Sequence, residues 1–328
     1  MADLSTRYMG LKLPSPLVVA SSSLSNKIEN FQAAEASGAG AIVLRSLFEE
    51  QIEAAESEIE EAISFQADAN PEARSYLPPQ RIGPREYLRL IDKAKKTVRI
   101  PVIASLNCAA PGSWSEYARQ LEEAGADALE VNIYAVGADP AVSGEEIERQ
   151  YLEIVRSVRD AVKLPIALKV SPFFTSFANV AKKFDDAGVN ALVLFNRFLQ
   201  PDVDLDRMAL HSSMQLSHSW EMLLPLRWTA ILYGRVRADL AASTGVHDGA
   251  GVVKMLLAGA TVVQLAATLL RNGISHLAAL RGDLDDWMER GRYSGLDDFR
   301  GSLSQKEAKD PRAFERAQYV NLILSQNM

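Results

Sequence analysis

The sequence predicts an α/β protein whose strands close into a (β/α)8 TIM barrel. Three observations predict this fold: short apolar runs alternate with helical patterns, eight such runs can be placed along the 328 residues, and four of them open with the same phrase. The phrases are SGAGAIVL (37–44), AGADALEV (124–131), AGVNALVL (187–194) and AGATVVQL (258–265). In each phrase the glycine ends a helix in the left-handed conformation, and the chain enters a buried parallel strand, which reads as a continuous apolar run.

The strands and the clearest helices follow in order along the chain. The predicted strands lie near Leu17–Ala20, Ala41–Ser46, Val102–Leu106, Ala128–Tyr134, Ile166–Ser171, Ala191–Asn196, Asp239–Ser243 and Val262–Ala266. Apolar residues at helical spacing predict helices over Asn26–Ser37, Ser113–Ala124 and Glu145–Val162. Eight strands alternating with helices over about 250 residues are typical of a closed barrel. A doubly wound open sheet is the alternative, but it would normally have a glycine-rich first turn, and that turn reads SSSLSNK here.

Two connections are longer than simple turns. Residues 47–82 contain the acidic stretch Glu49–Glu61 and a proline-rich segment, and residues 197–224 follow the sixth strand. Both connections follow the C-termini of strands, where barrel active sites are built, so lids or dimer contacts are plausible roles for them. We interpret the acidic stretch as a solvated helix face. Residues from about 282 to 328 are predicted to form a helical extension, and residues 1–328 a single domain.

Composition and charge limit the classes of function. The net charge of −7 argues against a general affinity for nucleic acid, because phosphate binding needs clustered Lys and Arg. No apolar run approaches the ~20 residues of a membrane helix, and the first residues lack the pattern of a signal peptide, so no membrane association is expected. The single cysteine, Cys108, cannot pair within the chain, and we expect a reducing, cytoplasmic location. The four histidines have no metal-ligand spacing, so no metal site is predicted.

Polar residues at the predicted C-terminal ends of the strands are the candidate functional residues, because barrel active sites lie on that face. They are Ser21–Ser23, Arg45–Ser46, Asn107, Asn132, Lys169, Asn196, Ser243–Gly245 and Ala266–Thr268. The set is rich in hydrogen-bonding groups and contains no catalytic triad. Lys169 carries the strongest signal, because a lysine inside an apolar run is costly to bury unless it meets an anion. Alternatively, Ser243–Gly245 forms only a tight turn, and Asn132 and Asn196 only satisfy loop backbone.

Several phrases resemble strand ends of the dihydroorotate dehydrogenase family in order and in spacing. They are EVNIYA (130–135), PIALKVSP (165–172), ALVLFN (191–196) and STGVHDGAGVVKMLLAGATVVQLAATLL (243–270), and the opening phrases PSPLVVAS and GAGAIVLRS match as well. The resemblance covers nearly the whole chain. It implies flavin mononucleotide (FMN) across the mouth of the barrel, oxidation of a dihydroorotate-like small molecule, a part in pyrimidine biosynthesis and a homodimer.

The resemblance also implies which residues contact the flavin. They are Ala20, Ser21, Arg45, Ser46, Asn132, Lys169, Asn196, Ser243, Thr244, Gly245, Ala266 and Ala267. Lys169 would stabilise the negative charge that a reduced flavin carries near N1. The phosphate would contact backbone N–H groups at 244–245 and 266–267, with the start of a helix near Asp248 directed at it.

The sequence departs from the family pattern mainly on the substrate side. The position of the family's catalytic base is occupied by Ala135, whose methyl group cannot accept a proton, and a later asparagine is replaced by Gly137. The segment Ala73–Pro78 replaces the family's NSMGLP, so its pyrimidine-binding asparagine is lost, and Arg45 replaces a lysine. The candidate catalytic residues are Lys169, Asn132 and Tyr134, with Ser143, Cys108 and Asp139 as alternative bases and Arg45, Arg74 and Arg197 as contacts for an anionic substrate.

Three functions remain open from the sequence. The first is a flavin oxidoreductase that acts on a dihydropyrimidine-like or other small anionic molecule and passes electrons to a second partner, such as an electron-acceptor protein. The second is a flavin-bearing electron-transfer or accessory protein whose dehydrogenase site has decayed. The third is a flavin-free lyase in which Lys169 forms a Schiff base. The chain has no cysteine cluster for an iron–sulfur centre, so any such centre would belong to a partner chain.

Overall fold

Eight parallel strands form a closed barrel in the computed structural model, which describes residues 2–48, 51–52, 83–108, 114–133, 135–197, 200–211 and 215–315. The strands are β1 (Leu17–Val19), β2 (Ala41–Val43), β3 (Val102–Cys108), β4 (Ala128–Ile133), β5 (Ile166–Val170), β6 (Ala191–Leu194), β7 (Asp239–Ser243) and β8 (Val262–Leu265). Each strand pairs in parallel with the next, and β8 pairs with β1, which closes the sheet. The predicted barrel is confirmed with all eight strands, and the open-sheet alternative is wrong.

A helix follows each strand and packs on the outside of the barrel. The helices are α1 (Ile28–Ala36), α2 (Pro84–Thr97), α3 (Trp114–Glu123), α4 (Gly144–Ala161), α5 (Phe177–Asp186), α6 (Leu223–Leu232), α7 (Gly249–Ala258) and α8 (Ala267–Asn272). A ninth helix, α9 (His276–Gly291), packs against α7 and α8. The three helices that the sequence predicts correspond to α1, α3 and α4, although the first begins as a separate 3-10 turn over Ser23–Asn26.

An N-terminal hairpin closes the barrel at the end opposite the C-termini of the strands. Its strands, Thr6–Tyr8 and Leu11–Leu13, pair antiparallel across a tight turn in which Met9 and Gly10 both have positive φ. The hairpin buries Tyr8, Met9 and Leu13 in one apolar cluster with inward-facing residues of the barrel. Those residues are Val18, Ala41, Val43, Ile103, Ala128, Ala167, Ala191, Val193, Ala241 and Val262. Because apolar side chains fill this end, the space for a ligand lies at the other end, where the strands finish.

The long connections contain secondary structure of their own. After β6, the antiparallel strands Asp202–Asp204 and Ala209–His211 form a hairpin, and a 3-10 helix over Ser219–Met222 leads into α6. After β2, Leu47–Phe48 pairs with β3, whereas nearly all of the acidic stretch lies outside the described residues.

The predicted C-terminal extension begins within α9. The chain continues after α9 through 3-10 helices at Leu296–Asp298 and Pro311–Phe314. Residues 316–328, where the sequence also predicts helix, are outside the described part of the chain. None of the described helices is long and apolar enough to cross a membrane.

Candidate cofactor and active site

A cavity of about 530 Å³ opens at the C-terminal end of the barrel. This volume is in the range of cofactor pockets, roughly 300–1,000 Å³. The residues that the sequence assigned to the cofactor all line it: Ala20, Ser21, Arg45, Ser46, Asn132, Lys169, Asn196, Ser243, Thr244, Gly245, Ala266 and Ala267. The lining also includes Phe48, Phe195, Arg197, Gln215, Leu216, Ser217, Val246, Gln264 and Leu270. The structure therefore brings residues from separate strand ends together around one space.

Strand geometry explains how Asn132 and Lys169 reach the cavity. Side chains alternate between the two faces of a strand, and Ala128 and Ala167 belong to the cluster inside the barrel. Asn132 is four residues after Ala128 and Lys169 is two residues after Ala167, so both side chains point into the barrel. The parallel register of β4 and β5 places them side by side. The Nδ2 atom of Asn196, just beyond β6, donates to Oδ1 of Asn132 at 3.0 Å. Both polar side chains on β4 and β5 are thus held at the cavity floor by the barrel itself.

The ammonium group of Lys169 lies over a buried carboxylate that the sequence did not reveal as a site residue. Glu130 is two residues before Asn132 on β4, so its side chain also points into the barrel. Its Oε1 accepts a hydrogen bond from Lys169 Nζ at 3.3 Å. Its Oε2 accepts a hydrogen bond from Nε2 of Gln264 on β8 at 2.6 Å. Glu130 is 1% exposed and Lys169 7%. Both carboxylate oxygens are therefore occupied, one by a cation and one by an amide.

Tyr8 from the N-terminal hairpin is close enough to this group to be affected by its charge. Burial raises the pKa of the Tyr8 phenol well above its ordinary value, and the negative charges of Glu130 and Asp239 raise it further. The phenol is therefore neutral at all physiological pH values. The Glu130 carboxylate therefore interacts with the Lys169 cation, which lines the cavity, and acts through its charge on the neutral phenol of Tyr8.

Hydroxyl groups line the opposite wall of the cavity. Ser21 Oγ accepts a hydrogen bond from the backbone N–H of Ser46 at 2.9 Å, and the hydroxyls of Ser46 and Ser105 are 2.8 Å apart. The backbone of Ser105 is in turn fixed by Tyr87 of α2, whose hydroxyl accepts from the Ser105 N–H at 2.9 Å. These bonds connect the ends of β1, β2 and β3, so that the wall is ordered by the chain's own side chains.

The turn after β7 has a backbone conformation that brings it close to the 3-10 helix over Ser219–Met222. Thr244 and Gly245 have φ of 80° and 77°. A Cβ atom at Gly245 would lie 2.3 Å from the backbone nitrogen of Met222, so only glycine fits there. The N–H of Gly245 donates weakly to Ser217 Oγ at 3.3 Å.

The helix that starts at this end of the cavity is α8 rather than α7. Its N-cap residue, Ala266, makes no side-chain hydrogen bond to the helix, and both Ala266 and Ala267 line the cavity. The start of α7 is instead capped by Asp248, which accepts from the Gly251 N–H at 2.7 Å and lines a different cavity. The sequence interpretation, which directed the start of α7 at the phosphate, is therefore not supported by the positions of these residues.

Two arginines lie at the rim of the cavity in different environments. Arg197 pairs with Glu221, with 2.9 Å between Nε and Oε1, and also donates to the backbone carbonyl of Gln215. Partial burial works to raise the pKa of Glu221, but the hydrogen bond from the His218 backbone and the charge of Arg197 outweigh it and lower that pKa. Arg45 is exposed and makes no hydrogen bond or ion pair with the described residues. Of the two, Arg45 is the cation available to a ligand.

The base candidates do not gather at the cavity. Ala135 is half-buried away from the lining and donates its N–H to the Tyr151 hydroxyl at 3.1 Å. Ser143 caps α4 and is bonded to Glu146, and Cys108 is fully buried in the barrel wall. Asp139 is exposed and accepts a hydrogen bond from the Ala141 N–H in its own loop. Tyr134 and Arg74 lie outside the described residues.

Fold and site together define a (β/α)8-barrel protein whose cavity at the strand C-termini is cationic and lined with amides and hydroxyls. No family model matches the chain. A protein of Aeropyrum pernix, provisionally named dihydroorotate dehydrogenase A (fumarate), is 30% identical over 204 residues, which are 58% of this chain and 63% of that protein. Catalytic subunits named dihydroorotate dehydrogenase B (NAD(+)) are 28% identical in Methanothermobacter thermautotrophicus (66% of this chain, 72% of that protein) and 24% identical in Thermoplasma acidophilum (92% and 99%). The chain is therefore similar, at 24–30% identity, to proteins named dihydroorotate dehydrogenase, and it spans 63% of the length of the Aeropyrum protein.

Proposed function

We propose that the cavity binds FMN and that the protein oxidises a carbon–carbon single bond of a small anionic molecule, with dihydroorotate as the first compound to test. The observation that carries this proposal is the buried Lys169 ammonium on the cavity floor, flanked by Asn132 and hydrogen-bonded on one side only. When bound, FMN would supply a hydride acceptor at its N5 atom.

The donor set of the floor fits an isoalloxazine ring. The Lys169 ammonium has three N–H groups, and Glu130 takes one of them, so the others can reach a ligand oxygen. Gln264 also lines the cavity, and its Nε2 donates to Glu130 beneath the floor. Asn132 and Asn196 add amide groups that both donate and accept. Such a mixture of donors and acceptors suits a ring that carries both carbonyl oxygens and an N–H.

The part of the cavity lined by the turn after β7 and by the start of α8 suits the phosphate of the cofactor. The turn at Thr244–Gly245 and the start of α8 at Ala266–Ala267 line it with small residues, so that a ligand can approach the backbone N–H groups closely. No Asp or Glu side chain is among the described residues that line the cavity. With Arg45, Lys169 and Arg197 in the lining, the electrostatic potential favours anions, which fits both the cofactor phosphate and an anionic substrate.

A second candidate, a flavin-bearing electron-transfer or accessory protein, is favoured by one specific observation. Oxidation of a dihydropyrimidine removes a proton from carbon as well as a hydride, and this proton needs a base. The described cavity lining contains no carboxylate, histidine or cysteine, and Ala135 is at the position of the family's base. The lyase alternative has no such support, because the Lys169 ammonium is ion-paired with Glu130 and a Schiff base forms from the free amine.

The first experiment is an anaerobic titration of the purified, FMN-reconstituted protein, followed by its visible spectrum. We expect a yellow protein that binds FMN more tightly than riboflavin, because riboflavin lacks the phosphate. Bleaching by dihydroorotate would identify the reaction. A yellow protein that dihydroorotate leaves unchanged would favour the electron-transfer function.

A pair of lysine variants shows whether the cavity is the binding site. Lys169→Met should weaken FMN binding, whereas Lys93→Met, at an exposed position on α2, should not. Failure of the wild-type protein to bind FMN would disprove the cofactor assignment. Equal binding by all three proteins would disprove the location of the site.

A further inference from the structure

We propose that Glu130 is a positioning residue that holds the Lys169 ammonium at the cavity floor and, through its own negative charge, lowers the reduction potential of the bound cofactor. This inference rests on the proposed FMN function and goes beyond it, because it assigns the control of the cofactor's potential to a residue that does not itself line the cavity.

Glu130 is held from three directions. Its own strand, β4, directs it into the barrel, β5 supplies Lys169, and β8 supplies Gln264. The two hydrogen bonds, of 3.3 Å and 2.6 Å, occupy different carboxylate oxygens. A side chain fixed in this way has one conformation, so the Lys169 ammonium above it has a defined anchor.

The charge of Glu130 is needed because Lys169 is buried. An ammonium group transferred from water to a buried site loses several kcal/mol of hydration, and a carboxylate at hydrogen-bonding distance offsets much of that loss. Gln264 could not neutralise the ammonium in place of Glu130, because an amide carries no net charge. Its Nε2 group also donates its hydrogen bond to Glu130. Glu130 therefore compensates the charge of the buried ammonium group through a direct ion pair.

The pair then determines how strongly the floor attracts negative charge. Lys169 lines the cavity, and Glu130 lies buried beneath it. A ligand therefore contacts a cation whose positive charge is partly neutralised by the Glu130 carboxylate. A reduced flavin is more negative than an oxidised one, and uncompensated positive charge at the floor would stabilise the reduced form. Replacing the carboxylate by a neutral amide should therefore raise the reduction potential.

The test compares FMN-loaded wild-type protein with Glu130→Gln, with Glu130→Asp and with the surface control Glu116→Gln. Glu116 is exposed on α3 and forms an i,i+3 pair with Arg119. Two measurements are made on each protein: the reduction potential against a reference dye, and the affinity for sulfite, which increases with positive charge near the flavin. For Glu130→Gln we expect a more positive potential and sulfite binding tighter by roughly tenfold or more. Glu116→Gln should match the wild type.

Glu130→Asp keeps the charge but withdraws it from Lys169 Nζ, so it should shift both quantities in the same direction by less. An FMN-loaded Glu130→Gln protein with wild-type potential and sulfite affinity would overturn the inference and leave the cofactor assignment intact. If Glu130→Gln does not fold, a wild-type potential in Glu130→Asp would overturn it equally. Wild-type protein that binds no FMN would instead refute the proposed function on which the inference rests.

Discussion

Lys169 at the floor of the cavity and Arg45 at its rim present their positive charges in opposite ways. At the floor, Lys169 is buried, hydrogen-bonded to Glu130 and flanked by Asn132 on the neighbouring strand. At the rim, Arg45 is exposed and has no ion pair or hydrogen bond with any residue that the structure describes. The floor is thus organised by the strands before any ligand arrives, whereas the side chain of Arg45 can adapt to what binds.

This difference matches the way in which the sequence departs from the family it resembles. The floor retains the asparagines and the lysine that the resemblance assigns to the flavin, while Arg45, Ala135 and Gly137 replace family residues beyond the strand ends. A floor residue cannot change alone, because its hydrogen-bond partners on other strands would be left unsatisfied at a cost of about 1–3 kcal/mol each. A rim residue has few such partners. The rim can therefore change in sequence while the floor is kept.

The largest effect should follow removal of the floor cation. Lys169→Met leaves the Glu130 carboxylate buried without its counter-ion, and breaking such a pair costs about 3–5 kcal/mol of unfolding free energy. The double variant Lys169→Met/Glu130→Gln removes both charges and should lose clearly less. Urea unfolding at neutral pH of these two variants and of Glu130→Gln alone completes the double-mutant cycle and gives the coupling energy of the pair.

Lys95→Met is the matched control for this prediction. Lys95 pairs with Asp127 at 2.6 Å, but both side chains are partly exposed, and such a pair contributes about 0.2–1 kcal/mol. Similar losses in Lys169→Met and Lys95→Met would contradict the view that burial makes the floor pair different.

The second largest effect should come from the turn after β7. Gly245→Ala forces a Cβ into the left-handed conformation, at about 1–2 kcal/mol, and against the backbone of Met222 as well. The backbone must shift, so we expect lower stability together with weaker FMN binding. Gly10→Ala is the control, because Gly10 has a similar φ of 80° and nothing within 4 Å of the added Cβ. Equal losses of stability and unchanged FMN affinity in both variants would show that the close approach at Gly245 is unimportant.

The fold was predictable from the sequence because buried parallel strands and helix-ending glycines leave local signals. Each of the eight predicted strands overlaps an observed one, with differences of a few residues at the ends. The boundaries depend on hydrogen bonds between strands, which no single segment encodes. The sequence does not predict that the N-terminal hairpin closes one end of the barrel, because its contacts with the barrel interior join residues that are far apart in the chain.

The site was predictable in part for the same reason. Residues directly at strand ends, such as Asn132 and Lys169, were found because polar residues stand out against apolar runs. Glu130 and Gln264 are polar too, but each lies inside a run of apolar residues, so the pattern alone does not indicate that they belong to the site. Their parity would have revealed them, since Glu130 is two residues before Asn132 and Gln264 two before Ala266. That Lys169 and Gln264 share Glu130 depends on the register of three strands, which the sequence does not contain.

A smaller effect should appear in the pH dependence of stability, through His247 beside Ser217. Burial lowers the pKa of His247 below its ordinary value of 6.5, and the positive charge of Arg271 lowers it further. The folded protein then binds fewer protons than the unfolded chain below pH 6.5, so stability is lost as the pH falls from 6.5 through the lowered pKa. His247→Gln should reduce this loss, as measured by urea unfolding at pH 7.5 and at lower pH values. An unchanged pH profile in His247→Gln would contradict the assignment.

The smallest effect on stability should come from the rim. Arg45→Ala removes a side chain with no partner in the described part of the chain, so the free energy of unfolding should stay within about 0.5 kcal/mol of wild type. Affinity for anionic ligands should nevertheless fall by about tenfold or more, because a charge-assisted hydrogen bond contributes about 1.5–3 kcal/mol. Arg45→Lys should recover only part of it, since lysine cannot form the bidentate contact of a guanidinium with a carboxylate. A stability loss close to that of Lys169→Met would mean that Arg45 is held as firmly as the floor, and the division between a preformed floor and an adaptable rim would no longer describe the cavity.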